Sequence, residues 1–221
     1  MLFPPRALSR SCLVAFMVWM ASTSASQAGL LVNGDFSSGL AGWTVTVSDS
    51  VSVIGGVAVL SESPTVSEVT LYQDFMIPVG LQTLSFELIG VGTEDDFPPS
   101  GFGASLLDPG TLASLVTTVD AFTDSFYTRD LDSSTTQGMA ALGVSVSPSG
   151  DSLPVKISVD VSALGGEMAR ILFRLVGGGS LSESSVSVDN VYAGANFAVP
   201  EPSSLALLSV GLIGLARRYR R

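Results

Sequence analysis

Val155-Lys156-Ile157-Ser158-Val159-Asp160-Val161 alternates apolar and polar residues with a strict period of two. Successive side chains of a strand point to opposite faces, so this pattern buries the valines and the isoleucine and leaves lysine, serine and aspartate to water. The alternation recurs outward from there. Ile171, Phe173 and Leu175 alternate with Arg170 and Arg174, and Leu84, Phe86 and Leu88 with Ser85 and Glu87. Val186 and Val188 alternate with Ser185 and Ser187, and Val45, Val47, Val51 and Val53 read similarly. Val69, Leu71, Phe75 and Ile77 share a face interrupted by Gln73. Breakers separate the runs: Gly55-Gly56, Ser63-Pro64, Pro78-Val79-Gly80, Pro98-Pro99, Asp108-Pro109-Gly110, residues 147–150, Gly165-Gly166 and Gly177-Gly178-Gly179. No helical periodicity competes with this pattern. Short half-buried strands with Gly/Pro turns predict an all-β, antiparallel β-sandwich of eight to ten strands, arranged as a jelly roll.

This domain occupies residues 29–198, and the two ends of the chain differ from it. Residues 1–28 read as a signal peptide. Arg6 and Arg10 form a positive start, residues 12–21 are uncharged and apolar, and Ser26-Gln27-Ala28 is close to a small-x-small cleavage pattern. Cleavage between Ala28 and Gly29 removes Cys12, the chain's one cysteine, so the mature protein has no thiol. At the other end Val199-Pro200-Glu201-Pro202 precedes an uncharged segment, residues 203–216. Arg217, Arg218, Arg220 and Arg221 follow as a membrane stop on the cytoplasmic side. The segment is shorter than the ~20 residues of an ordinary spanning helix. It is read as a short transmembrane sorting helix, because only a basic tail follows and Gly211 and Gly214 give it no polar face.

Charge and composition exclude several functions. The 221 residues carry 10 Lys+Arg, 20 Asp+Glu and no histidine, for a net charge of -10. Residues 1–28 contribute +2 and residues 200–221 contribute +3. The delivered domain therefore stands at -15, nineteen acids against Arg129, Lys156, Arg170 and Arg174. Such a domain repels nucleic acid and anionic membranes. Without histidine there is no Ser-His-Asp or Cys-His pair and no imidazole metal site, and one cysteine forms neither an internal disulfide nor a thiolate zinc site. The mean hydropathy of +0.49 owes part of its value to the two terminal segments.

The C-terminal tripartite pattern resembles the PEP-CTERM sorting signal of Gram-negative bacteria that make exopolysaccharide. The resemblance implies processing by exosortase, a membrane-embedded cysteine protease/transpeptidase. The precursor is then anchored in the inner membrane and the product is delivered to the cell surface or extracellular matrix. The two prolines hold the backbone extended, an accessible handle beside the membrane. A second resemblance concerns the domain. Leu31-Val32-Asn33-Gly34-Asp35-Phe36 with Gly42-Trp43, and Val186-Ser187-Val188-Asp189-Asn190-Val191, are similar to the first and last segments of jelly-roll, galactose-binding-like carbohydrate-binding domains. That resemblance implies Phe36 and Trp43 as core anchors. It also implies a structural calcium held by Asp35 and Asp189, with oxygen ligands suited to a hard cation. Ser37 stands where such domains often carry an acid.

The remaining acidic clusters read as surface. Glu94-Asp95-Asp96 reads as a solvated loop tip rather than a second cation site. Asp120, Asp124, Asp130 and Asp132, interleaved with Phe122, Phe126, Tyr127 and Arg129, read as an exposed strand with inward aromatics rather than a sugar-binding edge. The expected function is non-catalytic, structural or adhesive, in association with exopolysaccharide. The alternative is a carbohydrate-binding module with defined glycan specificity, and less readily a glycoside hydrolase, since no local motif marks a nucleophile or a proton donor.

Overall fold

Twelve strands order the described part of the chain in a computed structural model, which describes residues 31–62, 65–66, 68–92, 100–119, 123–131, 138–150, 152–177 and 184–194. They are β1 (Thr44–Val45), β2 (Val51–Ile54), β3 (Val57–Ser61), β4 (Glu68–Met76), β5 (Thr83–Gly92) and β6 (Gly101–Leu107), followed by β7 (Ser125–Asp130), β8 (Gly138–Ala140), β9 (Val144–Ser147), β10 (Val155–Asp160), β11 (Met168–Val176) and β12 (Ser185–Gly194). Two six-stranded sheets result, in the orders β1-β4-β11-β6-β7-β8 and β2-β3-β12-β5-β10-β9. Every pairing is antiparallel. The chain crosses repeatedly from one sheet to the other, which makes the sandwich jelly-roll-like.

The alternating runs behave as their period requires. Val155, Ile157 and Val159 of β10 are buried, as are Leu84, Phe86 and Leu88 of β5, Ile171, Phe173 and Leu175 of β11, and Val186 and Val188 of β12. These inward rows meet across the sandwich and form one continuous core. Phe86 sits at its centre, with the rings of Phe173, Phe126, Tyr127 and Phe102 at 5.0, 6.3, 6.3 and 6.4 Å. All four pairs lie edge-on, the geometry that aromatic quadrupoles favour.

Two expectations need correction. Among the described residues the strands number twelve rather than eight to ten, because β1 and β8 have only two and three residues and carry no readable period. The Val45–Val53 run is not one strand. A one-turn 3-10 helix, Ser48–Ser50, breaks it and sends β1 and β2 into different sheets. Gln73, the polar residue within an apolar row of β4, is buried for a reason that the row itself does not carry. Its Oε1 accepts from Val32 N at 2.6 Å, and its Nε2 donates to Val32 O at 3.0 Å and Gly42 O at 2.9 Å. One amide side chain thus hydrogen-bonds the N-terminal segment at both Val32 and Gly42.

Candidate functional site

The N-terminal segment meets the last strand through a glycine. Val191 N donates to Gly34 O at 2.9 Å, and the approach is so close that a Cβ on Gly34 would overlap the Val191 carbonyl. Around this seam Asn33 and Phe36 adopt left-handed backbone, with φ of 53° and 49°. Asn33 tolerates that conformation and organises the turn. Its Nδ2 donates to Gly39 O at 2.8 Å and Ala41 O at 3.1 Å, its Oδ1 accepts from Ser38 N at 3.0 Å, and its backbone carbonyl accepts from Trp43 Nε1 at 3.1 Å. Phe36 and Trp43 are buried, 5.2 Å apart, with Trp43 stacked 6.0 Å from Phe173. They are core anchors.

Over the seam lies a groove of about 460 Å³ on the outer face of the second sheet, lined by Asn33, Asp35, Glu87, Lys156, Asn190 and Tyr192 among others. Asp35 and Asp189, 154 positions apart in sequence, are brought into the same electrostatic neighbourhood with Glu87. Burial pushes the Asp189 carboxyl above its ordinary value, the Asn190 N–H works against that, and Glu87 and Asp35 add like-charge repulsion. Asp35 moves the other way. Its Oδ1 accepts from Ser37 N at 3.2 Å and Ser37 Oγ at 3.0 Å, which holds it below the usual carboxylate range. Asn190, at φ 49°, donates its backbone N–H to Asp189 Oδ1 at 2.6 Å and its Nδ2 to Glu87 Oε2 at 3.0 Å. Lys156 pairs in register with Glu87 and places the one cationic side chain of the groove lining beside it.

The donors here are all oxygen, as a hard cation requires. As placed, they form no ligand cage: among the described residues no three carboxylates stand close enough to hold a metal ion. Ser37 occupies Asp35 Oδ1, and Asn190 occupies one oxygen of Asp189 and one of Glu87. The fit to calcium is one of charge and not of geometry.

Glu87, Asn190 and Lys156 were not legible as site residues, because only the pairing of β5 with β10 and β12 brings them together. Phe126 and Tyr127 point into the core, Arg129 is buried, and Asp124 and Asp130 are exposed. Glu94-Asp95-Asp96, Asp120, Phe122 and Asp132 lie outside the described residues, as do the signal peptide with its Ala28/Gly29 junction, the motif Val199, Pro200, Glu201 and Pro202, the apolar segment and the terminal arginines. Among the described residues no helix is long and apolar enough to cross a membrane. Nor does either sheet face present two exposed aromatics among them. Tyr192 is open on the second sheet, and Tyr72 lies half-buried on the first beneath the Arg170 guanidinium, 4.1 Å above its ring.

Fold and seam together define an antiparallel jelly-roll-like β-sandwich whose N-terminal segment is fastened to its last strand. The rest of the chain adds its address: residues 198–221 match the PEP-CTERM protein-sorting motif. The motif implies an exported protein that exosortase processes at its C-terminus. Among solved structures the chain is similar to TmCBM61, solved in complex with beta-1,4-galactotriose. The identity is 14%, the match covers 74% of this chain and 96% of that one, and the TM-score is 0.43. It is also similar to a sialidase at 13% identity, over 77% of this chain and 19% of that one, with a TM-score of 0.46. No curated protein matches the chain.

Proposed function

We propose that the mature domain is a non-catalytic structural or adhesive component of the cell surface or extracellular matrix, associated with exopolysaccharide. The precursor is held in the inner membrane by residues 203–216 until exosortase acts. The observation that carries this reading is the sorting motif at residues 198–221, attached to a sandwich of strongly negative charge. The shortage of exposed aromatics among the described residues favours a structural part over a module that grips sugars by ring stacking.

A second reading is a glycan-binding module stabilised by calcium, and the groove of Asp35, Glu87, Asn190 and Tyr192 is what favours it. Calcium would be drawn there by the mutual repulsion of Asp35, Glu87 and Asp189, which a bound dication relieves. The two readings separate in one experiment. The processed protein is passed over the producer's own exopolysaccharide with calcium and with a chelator. Retention in calcium alone, with loss on Asp189→Asn, supports the module. No retention in either condition removes the module and leaves a structural part that does not itself grip the polysaccharide, and release of reducing sugar would contradict both.

A further inference from the structure

The tail leaves the domain at one end of the sandwich, and that end exposes several large apolar side chains. Gly194 closes β12 opposite Thr83 of β5, and Thr83 lies opposite Asp160 at the end of β10. The described segments that join strands at this end are residues 77–82, 108–119, 123–124, 141–143 and 161–167. Ten large apolar side chains are exposed among the described residues, and five of them are here. Val79 and Leu142, 81% and 88% exposed, project from two of the connections. Met76 and Met168, both 45% exposed, face each other in register where β4 ends and β11 begins. Leu112, 53% exposed, belongs to the turn that follows β6.

Leu112 is the most telling of the five. It stands at φ 59°, a conformation that costs a bulky residue and suits asparagine or glycine. The turn holds it there. Leu112 N donates to Asp108 O at 2.8 Å, and Asp108 Oδ1 accepts from Gly110 N and Thr111 N, each at 2.8 Å. An energetically poor residue is thus fixed in place with its side chain in water.

Tether length says what covers this end. Eight residues, 195–202, separate Gly194 from the apolar segment that begins at Ser203. At ~3.3–3.6 Å per residue the connection reaches at most about 30 Å. We infer that this end of the sandwich docks its apolar tips on the surface of a zwitterionic lipid bilayer while residues 203–216 are inserted. The inference rests on the reading of those residues as a membrane segment. The tether makes docking intramolecular, so contacts too weak for a free domain suffice. Asp108, Asp160 and Glu167 lie among the tips, and Arg170 is engaged by Asp74 at 2.6 Å, so an anionic surface would be repelled. Docking would hold the Pro200-Glu201-Pro202 handle at the bilayer surface, where a membrane-embedded protease works.

The test uses the full chain with Cys12→Ser and a single reporter, Val79→Cys, Leu142→Cys or, at the far end of β11, Val176→Cys. Each is labelled with an environment-sensitive fluorophore and placed in phosphatidylcholine vesicles with an aqueous quencher. The expected result is several-fold less quenching at positions 79 and 142 than at 176, seen only with vesicles and reduced by adding phosphatidylglycerol. A chain that floats with the vesicles yet is quenched equally at all three positions overturns the docking and leaves the anchored precursor standing. A chain that does not float overturns both. Protection that arises without lipid and grows with protein concentration assigns the face to a second copy and overturns the inference. A Met168→Cys reporter placed with Val79→Ser, Leu112→Asn and Leu142→Ser should lose its protection. Asparagine relieves the strain at position 112, so cooperative unfolding should persist in that variant.

Discussion

Replacing Gly34 with alanine should weaken the whole sandwich, although it adds a single methyl group. The added Cβ would lie 2.9 Å from the Val191 carbonyl carbon and 3.0 Å from Leu31 Cδ2, with the Val191 oxygen closer still. The obstacle is backbone, so no side-chain rotation relieves it. The N-terminal segment must back away from β12. Overpacking of this kind costs about 1–3 kcal/mol. Losing the hydrogen bond from Val191 N to Gly34 O removes about 0.5–1.5 kcal/mol more. Phe36 and Trp43 hang on the same segment, so the sum of about 2–4 kcal/mol falls on the global fold and not on a loop. With a urea m-value of about 2 kcal/mol/M, the unfolding midpoint should drop by roughly 1–2 M. Gly101→Ala serves as the control, because a Cβ there meets nothing within 4 Å and the residue lies in β6. If Gly34→Ala unfolds within about 0.5 kcal/mol of the parent, the seam is not what fastens the N-terminus and the reasoning fails.

Phe86→Ala should cost about 3–5 kcal/mol in the same denaturation assay, toward the upper end because four rings lose their edge-on partner, while Phe86→Leu should cost less than half of that. Asp189→Asn should raise stability near neutral pH. The folded state holds the Asp189 proton to a higher pH than the unfolded chain does, so ionisation of this group weakens the fold as pH rises through the window above the ordinary carboxylate value. Melting temperature followed from about pH 4 to 7 should therefore fall less steeply, or rise more, in the variant than in the parent, and parallel curves would refute the assignment. Asp35, Asp108 and Asp160 contribute with the opposite sign. Their stabilisation is present above the ordinary carboxylate value and is lost as pH falls through their lowered ones, so Asp108→Asn should flatten the acid limb of the curve.

Much of the architecture was readable from period alone. Where a strand is long and buries one face, as in β5, β10 and β11, alternation reports the face directly. Period fails where the element is too short to show it, as in β1 and β8, or where a turn reverses the chain inside a run of valines. Gln73 looked like a defect in a strand pattern and proved to be the hydrogen-bonding partner of Val32, 41 positions away, which no local rule reports. The seam was half legible. Asp35 and Asp189 belong to recognisable segments at the two ends of the domain. Glu87 is an ordinary polar position of an alternating strand, and it joins them only through the register of β12 on β5. Ser37, standing where an acid was expected, takes up an oxygen of Asp35 and helps explain why charge gathers there without a cage.

The account turns on a domain that is exported and then cut from its tail, and the intact mass of the protein released by its native producer tests that most directly. The expected species begins at Gly29 and ends in the neighbourhood of Pro200-Glu201-Pro202. A fully secreted protein that still carries residues 217–221 would contradict the account.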